Sequence, residues 1–235
     1  MKILAVETAT SLQSVALLDD RTVVEFVSED AAGSHARRLV PIIDRLLRAS
    51  GWTLASLDGL AVSIGPGSFT GLRVGLATML GFRSTMGLPL ATVPTLEGLC
   101  WNVRPADLPL CPVIRSRPGE VYWGLYRWTS AGHLERLCPE QVGSVENLAQ
   151  HVERPTILLG DGWEANRDHG KRLMGKHAIE APVDKRQVSA CSIGLAGLEL
   201  LREGHVAGNM VTPRYVLRAE AEIVFDRRAA AQRKV

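Results

Sequence analysis

The chain has 235 residues, of which 46% are hydrophobic and 22% charged, and its formal net charge is +2. This composition excludes a disordered or fibrous protein. The net charge is too small to indicate nucleic-acid binding, which usually depends on a concentrated stripe of basic residues. Its four cysteines form no C-x-x-C pair and no apolar run reaches the ~18 residues of a membrane span, so we expect a cytoplasmic protein with no membrane partner.

The first half predicts a meander of three strands, followed by alternating helices and strands. Short apolar or β-branched runs predict the strands, and apolar residues at helical spacing predict the helices. The expected strands are 2–7, 14–18, 22–27, 57–64 and 88–93, and the expected helices are 34–49, 69–86 and 94–101. Ser34 is the expected N-cap of the first helix, Pro41 predicts a bend or a late start, and Gly51 predicts its end.

The second half repeats this plan after a proline-rich stretch at 105–112, which predicts a hinge. The expected strands are 111–114, 121–128, 133–137, 156–159 and 178–183, and the expected helices are 144–152, a segment after Gly162, and 189–202. We therefore predict two lobes, 1–105 and 106–235, with the 189–202 helix a candidate to pack back on the first lobe. Two RNase H-like βββαβα repeats predict an α/β fold of the actin/Hsp70/sugar-kinase type, which leaves function open.

A glycine-rich loop, G-P-G-S-F-T-G at 65–71, follows a strand and opens a helix. Glycines let the backbone approach a ligand and a helix N-terminus favours anions, but a tight turn needs the same residues. Both interpretations stand. On the first, the candidate anion or nucleotide contacts are Thr8, Thr10, Gly65, Gly67 and Ser68. Glu7 stands where an aspartate is usual in such folds, and the following turn has no glycine.

The helices at 34–49 and 69–86 raise the hypothesis of a partner-binding surface. Gly71 and Gly75 lie four residues apart, which allows close approach of another helix. The first helix has an apolar face that ordinary packing on a sheet does not explain at Ile42. The candidate interface residues are His35, Leu39, Ile42, Ile43, Leu46, Ser68, Phe69, Leu72, Arg73, Gly75, Leu76 and Met79.

Other polar residues give weaker signals. No two of the six histidines lie four residues apart, so the sequence predicts no helical metal pair. No G-x-S-x-G elbow is present, so we expect no catalytic residues. His35 is expected to be a surface or capping residue, and Asp161 to lie in a turn. Arg115 stands where the second lobe should offer an acid. The basic tail, 226–235, is expected to be a solvated terminus, with direct tRNA binding as a weaker alternative.

Several segments together resemble the TsaB (YeaZ) family. They are I-L-A-V-E-T-A-T (3–10), S-H-A-R-R-L-V-P-I-I-D-R-L-L (34–47), G-P-G-S-F-T-G-L-R-V-G-L-A (65–77), P-G-E-V-Y-W-G-L-Y (118–126), G-D-G (160–162) and P-R-Y-V-L-R (213–218). The resemblance implies an actin-like fold and a non-catalytic subunit in the modification of tRNA with threonylcarbamoyladenosine. One departure is Arg115, which replaces the aspartate of the family's I-D-A-R-x-G-E segment.

The resemblance also implies partners. The related catalytic subunit TsaD holds a metal through H-x-x-x-H, and the matching positions here are Thr95 and Leu99. The resemblance implies that the helices at 34–49 and 69–86 dock on TsaD or form a homodimer. It also implies that a TsaE-like ATPase joins the complex. The tRNA would be met indirectly, and a separate enzyme would supply the carbamoyl-adenylate. We expect no cofactor of the chain's own, with ATP or ADP allowed at the interface shared with TsaD. The alternative is an actin-fold ATP-binding enzyme or an M22-like metallopeptidase.

Overall fold

The computed structural model describes residues 1–31, 33–208 and 210–216. Within them, ten strands and six α-helices form two successive repeats of one element order. The first repeat comprises β1 (Lys2–Glu7), β2 (Leu12–Asp19), β3 (Thr22–Asp30), α1 (His35–Ser50), β4 (Gly59–Ser63), α2 (Phe69–Met86), β5 (Leu90–Val93) and α3 (Thr95–Cys100). The second comprises β6 (Leu110–Arg115), β7 (Val121–Trp128), β8 (Leu134–Gly143), α4 (Val145–Ala149), β9 (Thr156–Leu159), α5 (Asp161–Met174), β10 (Ala178–Glu180) and α6 (Ala190–Arg202).

Both repeats build the same five-stranded sheet. The strand orders are β3-β2-β1-β4-β5 and β8-β7-β6-β9-β10. In each, the first three strands are antiparallel neighbours, and the last two add in parallel beside the first strand. The order of elements predicted from the sequence is therefore confirmed. No helix in the described ranges has both the length and the apolar character that crossing a membrane requires.

The first sheet buries both of its faces. Along β1, Ile3 and Ala5 point to a core shared with Ile193 of α6. Leu4 and Val6 alternate with them and point to a second core beneath α1 and α2. Period-two alternation between two apolar cores explains why the strand is apolar at each position from Ile3 to Val6.

The third helix of each repeat packs on the sheet of the other repeat. Helix α6 lies on β1, β2, β4 and β5, and approaches so closely that a Cβ atom at Gly197 would lie 2.4 Å from the Cβ of Ala61. Helix α3 lies against β6 and β7. The predicted boundary between residues 105 and 106 falls between α3 and β6, where the chain passes from the first sheet to the second.

Helix α1 corrects two local expectations. Ser34 occupies the N-cap position, but its hydroxyl donates backwards to the carbonyl of Ala31 at 3.2 Å and does not cap the helix. The helix also begins at His35, so Pro41 does not delay its start. Pro41 lies on the exposed face, where the carbonyl that it leaves without a helical donor is open to water. Gly51 ends the helix in the left-handed conformation, as expected.

Candidate functional site

The glycine-rich loop is packed tightly on the turn between β1 and β2. A Cβ atom at Gly67 would lie 2.3 Å from the carbonyl oxygen of Ala9, and one at Gly71 would lie 2.0 Å from that of Thr8. The amide of Ser68 donates to the carbonyl of Ala9 at 2.7 Å. Because no side chain fits in these contacts, the turn accounts for Gly67 and Gly71 without a ligand.

The start of the same loop is held by α3 and by the chain's C-terminal segment. The amide of Gly65 donates to the hydroxyl of Thr95 at 3.1 Å, and its carbonyl accepts from the amide of Thr95 at 2.8 Å. A Cβ atom at Gly65 would lie 2.6 Å from the carbonyl oxygen of Arg214. Thr95, which matches a metal-ligand position of TsaD, thus anchors the loop, and Leu99 is buried in the core. No local sequence pattern indicated the contact with Arg214.

The predicted anion contacts do come together around this turn. Ser68 caps α2, because its hydroxyl oxygen accepts from the amide of Gly71 at 3.2 Å. The hydroxyl of Thr10 donates to the carbonyl of Leu12 at 3.3 Å. That of Thr8 is buried and has no hydrogen-bond partner within the part of the chain that the structure describes. The amides of Gly65 and Ser68 already donate to protein oxygens, and nucleotide contact here stays a prediction.

A buried carboxyl group of the first lobe lies within electrostatic range of an acid of the second lobe. Glu7 is fully buried, and its Oε1 accepts from the amide of Ala9 at 2.5 Å and from the hydroxyl of Ser63 at 3.2 Å. Burial, together with the charge of Asp161, raises the pKa of Glu7 to about 7. Burial also raises the pKa of Asp161, whose Oδ1 accepts from the amide of Arg115 at 3.1 Å.

Asp161 corrects two expectations about the second lobe. It is the first residue of α5 and not part of a turn. It also supplies the acid that was expected at the end of the first strand of this lobe, where the sequence has Arg115. The aspartate follows β9, which lies beside β6, so the acid comes from the neighbouring strand. The described residues contain no cluster of three histidine, cysteine or acidic side chains that could hold a metal.

Most of the predicted interface residues belong to the interior of this chain. Ile42 lies on the inner side of α1, is only 5% exposed and packs in the core between this helix and the sheet. The expectation that Ile42 is exposed is therefore wrong. His35 is also buried, and its Nδ1 lies 3.2 Å from Oε1 of Gln13, which corrects the expected surface or capping role. Gly75 faces the hydroxyl of Thr8 and not another helix. The other predicted interface residues that are buried are Leu39, Ile43, Leu46, Leu72, Leu76 and Met79.

Three predicted interface residues lie on the surface at the start of α2. They are Ser68, Phe69 and Arg73. The Phe69 side chain is 41% exposed, and the guanidinium carbon of Arg73 lies 3.6 Å from the centroid of its ring. Tyr215 packs against the same ring at 5.3 Å between centroids. Tyr215 lies in the P-R-Y-V-L-R segment, but the sequence did not indicate its contact with Arg73, which is 142 residues away.

An apolar groove runs between α1, the short 3-10 helix Leu54–Ser56 and α2. It has a volume of about 490 Å³, and its wall includes Val40, Leu47, Trp52 and Phe82. Val40 is 49% exposed. The outer surface of the two helices, from Phe69 to this groove, is called the α1–α2 face below. The basic tail at 226–235 lies outside the described residues.

Comparisons with known proteins agree with this architecture. A sequence model of the family described as "TsaD: tRNA N6-adenosine threonylcarbamoyltransferase" matches residues 25–225. The "tRNA threonylcarbamoyladenosine biosynthesis protein TsaB" of Escherichia coli (strain K12) is 36% identical over 180 residues, which cover 73% of this chain and 76% of that protein. The protein of the same name from Bacillus subtilis (strain 168) is 27% identical and covers 94% of this chain and 96% of its own length.

Solved structures give the same assignment. YeaZ from Pseudomonas aeruginosa superimposes with a TM-score of 0.72 at 26% identity, covering 91% of this chain and 99% of that one. The ROK hexokinase from Thermus thermophilus shares the fold, with a TM-score of 0.52 at 12% identity over 87% of this chain and all of that one. The predicted fold class is therefore confirmed. The chain belongs to the TsaB (YeaZ) family, within the wider family that the TsaD model describes.

Proposed function

We propose that this chain is a non-catalytic subunit in the biosynthesis of threonylcarbamoyladenosine in tRNA, and that it supports a TsaD-type catalytic subunit by binding it. Two relatives are named for this biosynthesis, and the matching family model is that of the transferase. The positions that match the metal ligands of TsaD are Thr95 and Leu99, and both are buried. The hydroxyl of Thr95 already accepts from the amide of Gly65, and the side chain of Leu99 is a hydrocarbon. Neither residue can supply the imidazole nitrogen that a histidine gives to a metal.

The observation that carries the binding proposal is the α1–α2 face. Phe69 and Val40 are large apolar side chains that remain over 40% exposed, and the groove beside Val40 is apolar. Exposed large apolar side chains and an apolar groove on one pair of helices are typical of protein interfaces, and aromatic and arginine side chains are enriched at the centres of such interfaces. Because the side chains beneath these helices fill the core, a partner would meet this outer layer alone.

The partners beyond the catalytic subunit follow from the same proposal. A homodimer would use the same face, so self-association and binding of a TsaD-type subunit would compete. A TsaE-like ATPase would join the assembled complex, and tRNA would be met through the complex. ATP or ADP is proposed at the interface shared with the TsaD-type subunit and not on the chain alone. Calorimetry with ATP and Mg²⁺ on the complex and on the chain alone would test this.

Reconstitution tests the proposed function. The chain alone should modify no tRNA. Added to a TsaD-type subunit, a TsaE-type ATPase and the adenylate-forming enzyme, it should restore formation of threonylcarbamoyladenosine, measured by mass spectrometry of tRNA nucleosides. Equal yields with and without this chain would show that the proposal is wrong. Modification by the chain alone, with stoichiometric metal, would favour the enzyme alternative instead.

Surface variants test the face itself. We expect Phe69→Glu and Val40→Glu to weaken binding of the TsaD-type subunit by at least about tenfold, because each places a charge in an apolar interface. Val183→Glu is the matched control, since Val183 is 74% exposed and lies on the second lobe. Biolayer interferometry would give the dissociation constants, and only variants whose unfolding temperature equals that of the wild type would be compared. Equal losses in all three variants would contradict the assignment of the face.

A further inference from the structure

The chain after α6 forms a strap, residues 205–208 and 210–215, that crosses from one face of the first sheet to the other. The amide of Ala207 donates to the carbonyl of Leu90 at 2.8 Å, at the start of the edge strand β5. Nη1 of Arg83 on α2 donates to the carbonyl of Gly208 at 2.7 Å. Ala207 and Val211 pack into the core beneath α1 and α2. The strap therefore connects α6, on one side of the sheet, with α2 on the other.

One residue of the strap joins the glycine-rich loop to the second lobe. The amide of Arg214 donates to the carbonyl of Ile64 at 2.6 Å, and its own carbonyl lies against Gly65. Its Nε lies 3.0 Å from Oε2 of Glu140 on β8, whose side chain is only 2% exposed. Tyr126 donates its hydroxyl to the other oxygen of this carboxyl group at 3.3 Å. Oε2 of Glu140 accepts no hydrogen bond within the described residues and Arg214 is 36% exposed, so the contact is a charge pair without hydrogen-bond geometry. It still ties the strap to β8, because without Arg214 the buried carboxylate would lose this ion-pair partner.

The next residue reaches the α1–α2 face. The hydroxyl of Tyr215 accepts from Nε of Arg73 at 3.1 Å, while its ring packs against Phe69. Arg73 in turn lies flat over Phe69. The exposed aromatic and the exposed arginine of α2 are therefore both held by one side chain of the strap, which is itself 42% exposed.

We propose that Arg214 and Tyr215 are positioning residues for the α1–α2 face: Arg214 locks the strap to the second lobe and to the Gly65 loop, and Tyr215 fixes Phe69 and Arg73 in the orientation that a partner meets. The binding part of this proposal rests on the proposed function. The strap is not a displaceable cover, because its backbone hydrogen bonds, its ion pair and the partly buried side chains of Ala207 and Val211 build it into both lobes. Tyr215 remains exposed and adds to the face.

The first experiment needs no partner. Hydrogen exchange of the chain alone would be followed at the amides of Gly65 and Ser68 in the wild type, Arg214→Gln and Arg214→Lys. Loss of the ion pair should speed exchange there by about tenfold or more through local opening. Arg214→Lys, which keeps the charge, should restore protection. Arg127→Gln is the control, because it removes an exposed ion pair with Glu135 on the second lobe. Unchanged exchange in Arg214→Gln would overturn the locking role.

The second experiment measures the face. Tyr215→Ala should weaken binding of a TsaD-type subunit by about three- to tenfold, the range expected for a lost aromatic pair. Its effect should be non-additive with Phe69→Ala in a double-mutant cycle. Tighter binding by Tyr215→Ala would show that the strap competes with the partner, and additive effects would show that it does not position Phe69. If the wild-type chain fails to bind, the proposed function fails, while the exchange experiment still decides the locking role.

Discussion

Replacement of Glu7 by glutamine should remove a pH-dependent loss of stability. The folded-state pKa of Glu7 is about 7, against an ordinary value of 4.5, and burial is the main cause. Because the folded pKa lies above the unfolded one, the folded protein holds the proton more tightly. Stability from this group is therefore fully present below pH 4.5 and is lost as pH rises towards 7. A tenfold change in proton affinity corresponds to about 1.4 kcal/mol, so the loss is about 3 kcal/mol.

Urea unfolding of the wild type and Glu7→Gln at several pH values between 4 and 8, followed by tryptophan fluorescence, measures this effect. The amide oxygen of the variant can still accept from Ala9 and Ser63, but the side chain no longer titrates. The difference in free energy of unfolding should therefore shift in favour of the variant by about 3 kcal/mol between pH 4 and pH 8. The exposed Glu153→Gln serves as control. Parallel stability curves for wild type and Glu7→Gln would refute the assigned pKa and its cause.

Two matched pairs test the packing of the helices. Gly71→Ala should destabilise the fold by about 1–3 kcal/mol, because its methyl group meets the carbonyl of Thr8. Gly81→Ala, on the same helix with open space around it, should stabilise by about 0.5–1 kcal/mol, and thermal unfolding compares the two. Ile42→Glu should cost several kcal/mol because it buries a charge, whereas Val40→Glu should change stability by about 0.5 kcal/mol or less. Equal unfolding midpoints in either pair would contradict the burial seen here.

The order of strands and helices could be predicted from the sequence because it depends on local periodicity. One buried stripe of α1 contains residues 39, 42, 43 and 46. Their helical spacing alone is sufficient to predict that Ile42 is buried. The apolar residue outside this stripe is Val40, next to Pro41. The width of the apolar face alone therefore does not identify the exposed residue, because Ile42 lies within the buried stripe and Val40 outside it.

The contacts that shape the candidate site are long-range and left no local pattern. Tyr215 meets Arg73 across 142 residues, and Asp161 accepts a hydrogen bond from the amide of Arg115, which precedes it by 46 residues. Each side chain has an ordinary sequence environment, and only the pairing of strands and the path of the strap bring it to its partner. A single sequence carries no signal for such pairs, whereas spacing within one helix or strand is explicit.

The glycine-rich loop shows how one sequence pattern serves two structural purposes. Its glycines suggested an approach to phosphate, but their close contacts are with the carbonyl groups of the first turn and of Arg214. The contacts of Gly67 and Gly71 fix the start of α2 with no side chain between the helix and the turn. Phe69 lies between these two glycines and is held at the surface. The strap then fixes the direction in which Phe69 points. The close contacts therefore explain these glycines without a ligand, and on the proposed function the loop holds Phe69 in a partner-binding surface. A nucleotide that used the amides of Gly65, Ser68 or Gly71 would compete with the protein oxygens to which they already donate.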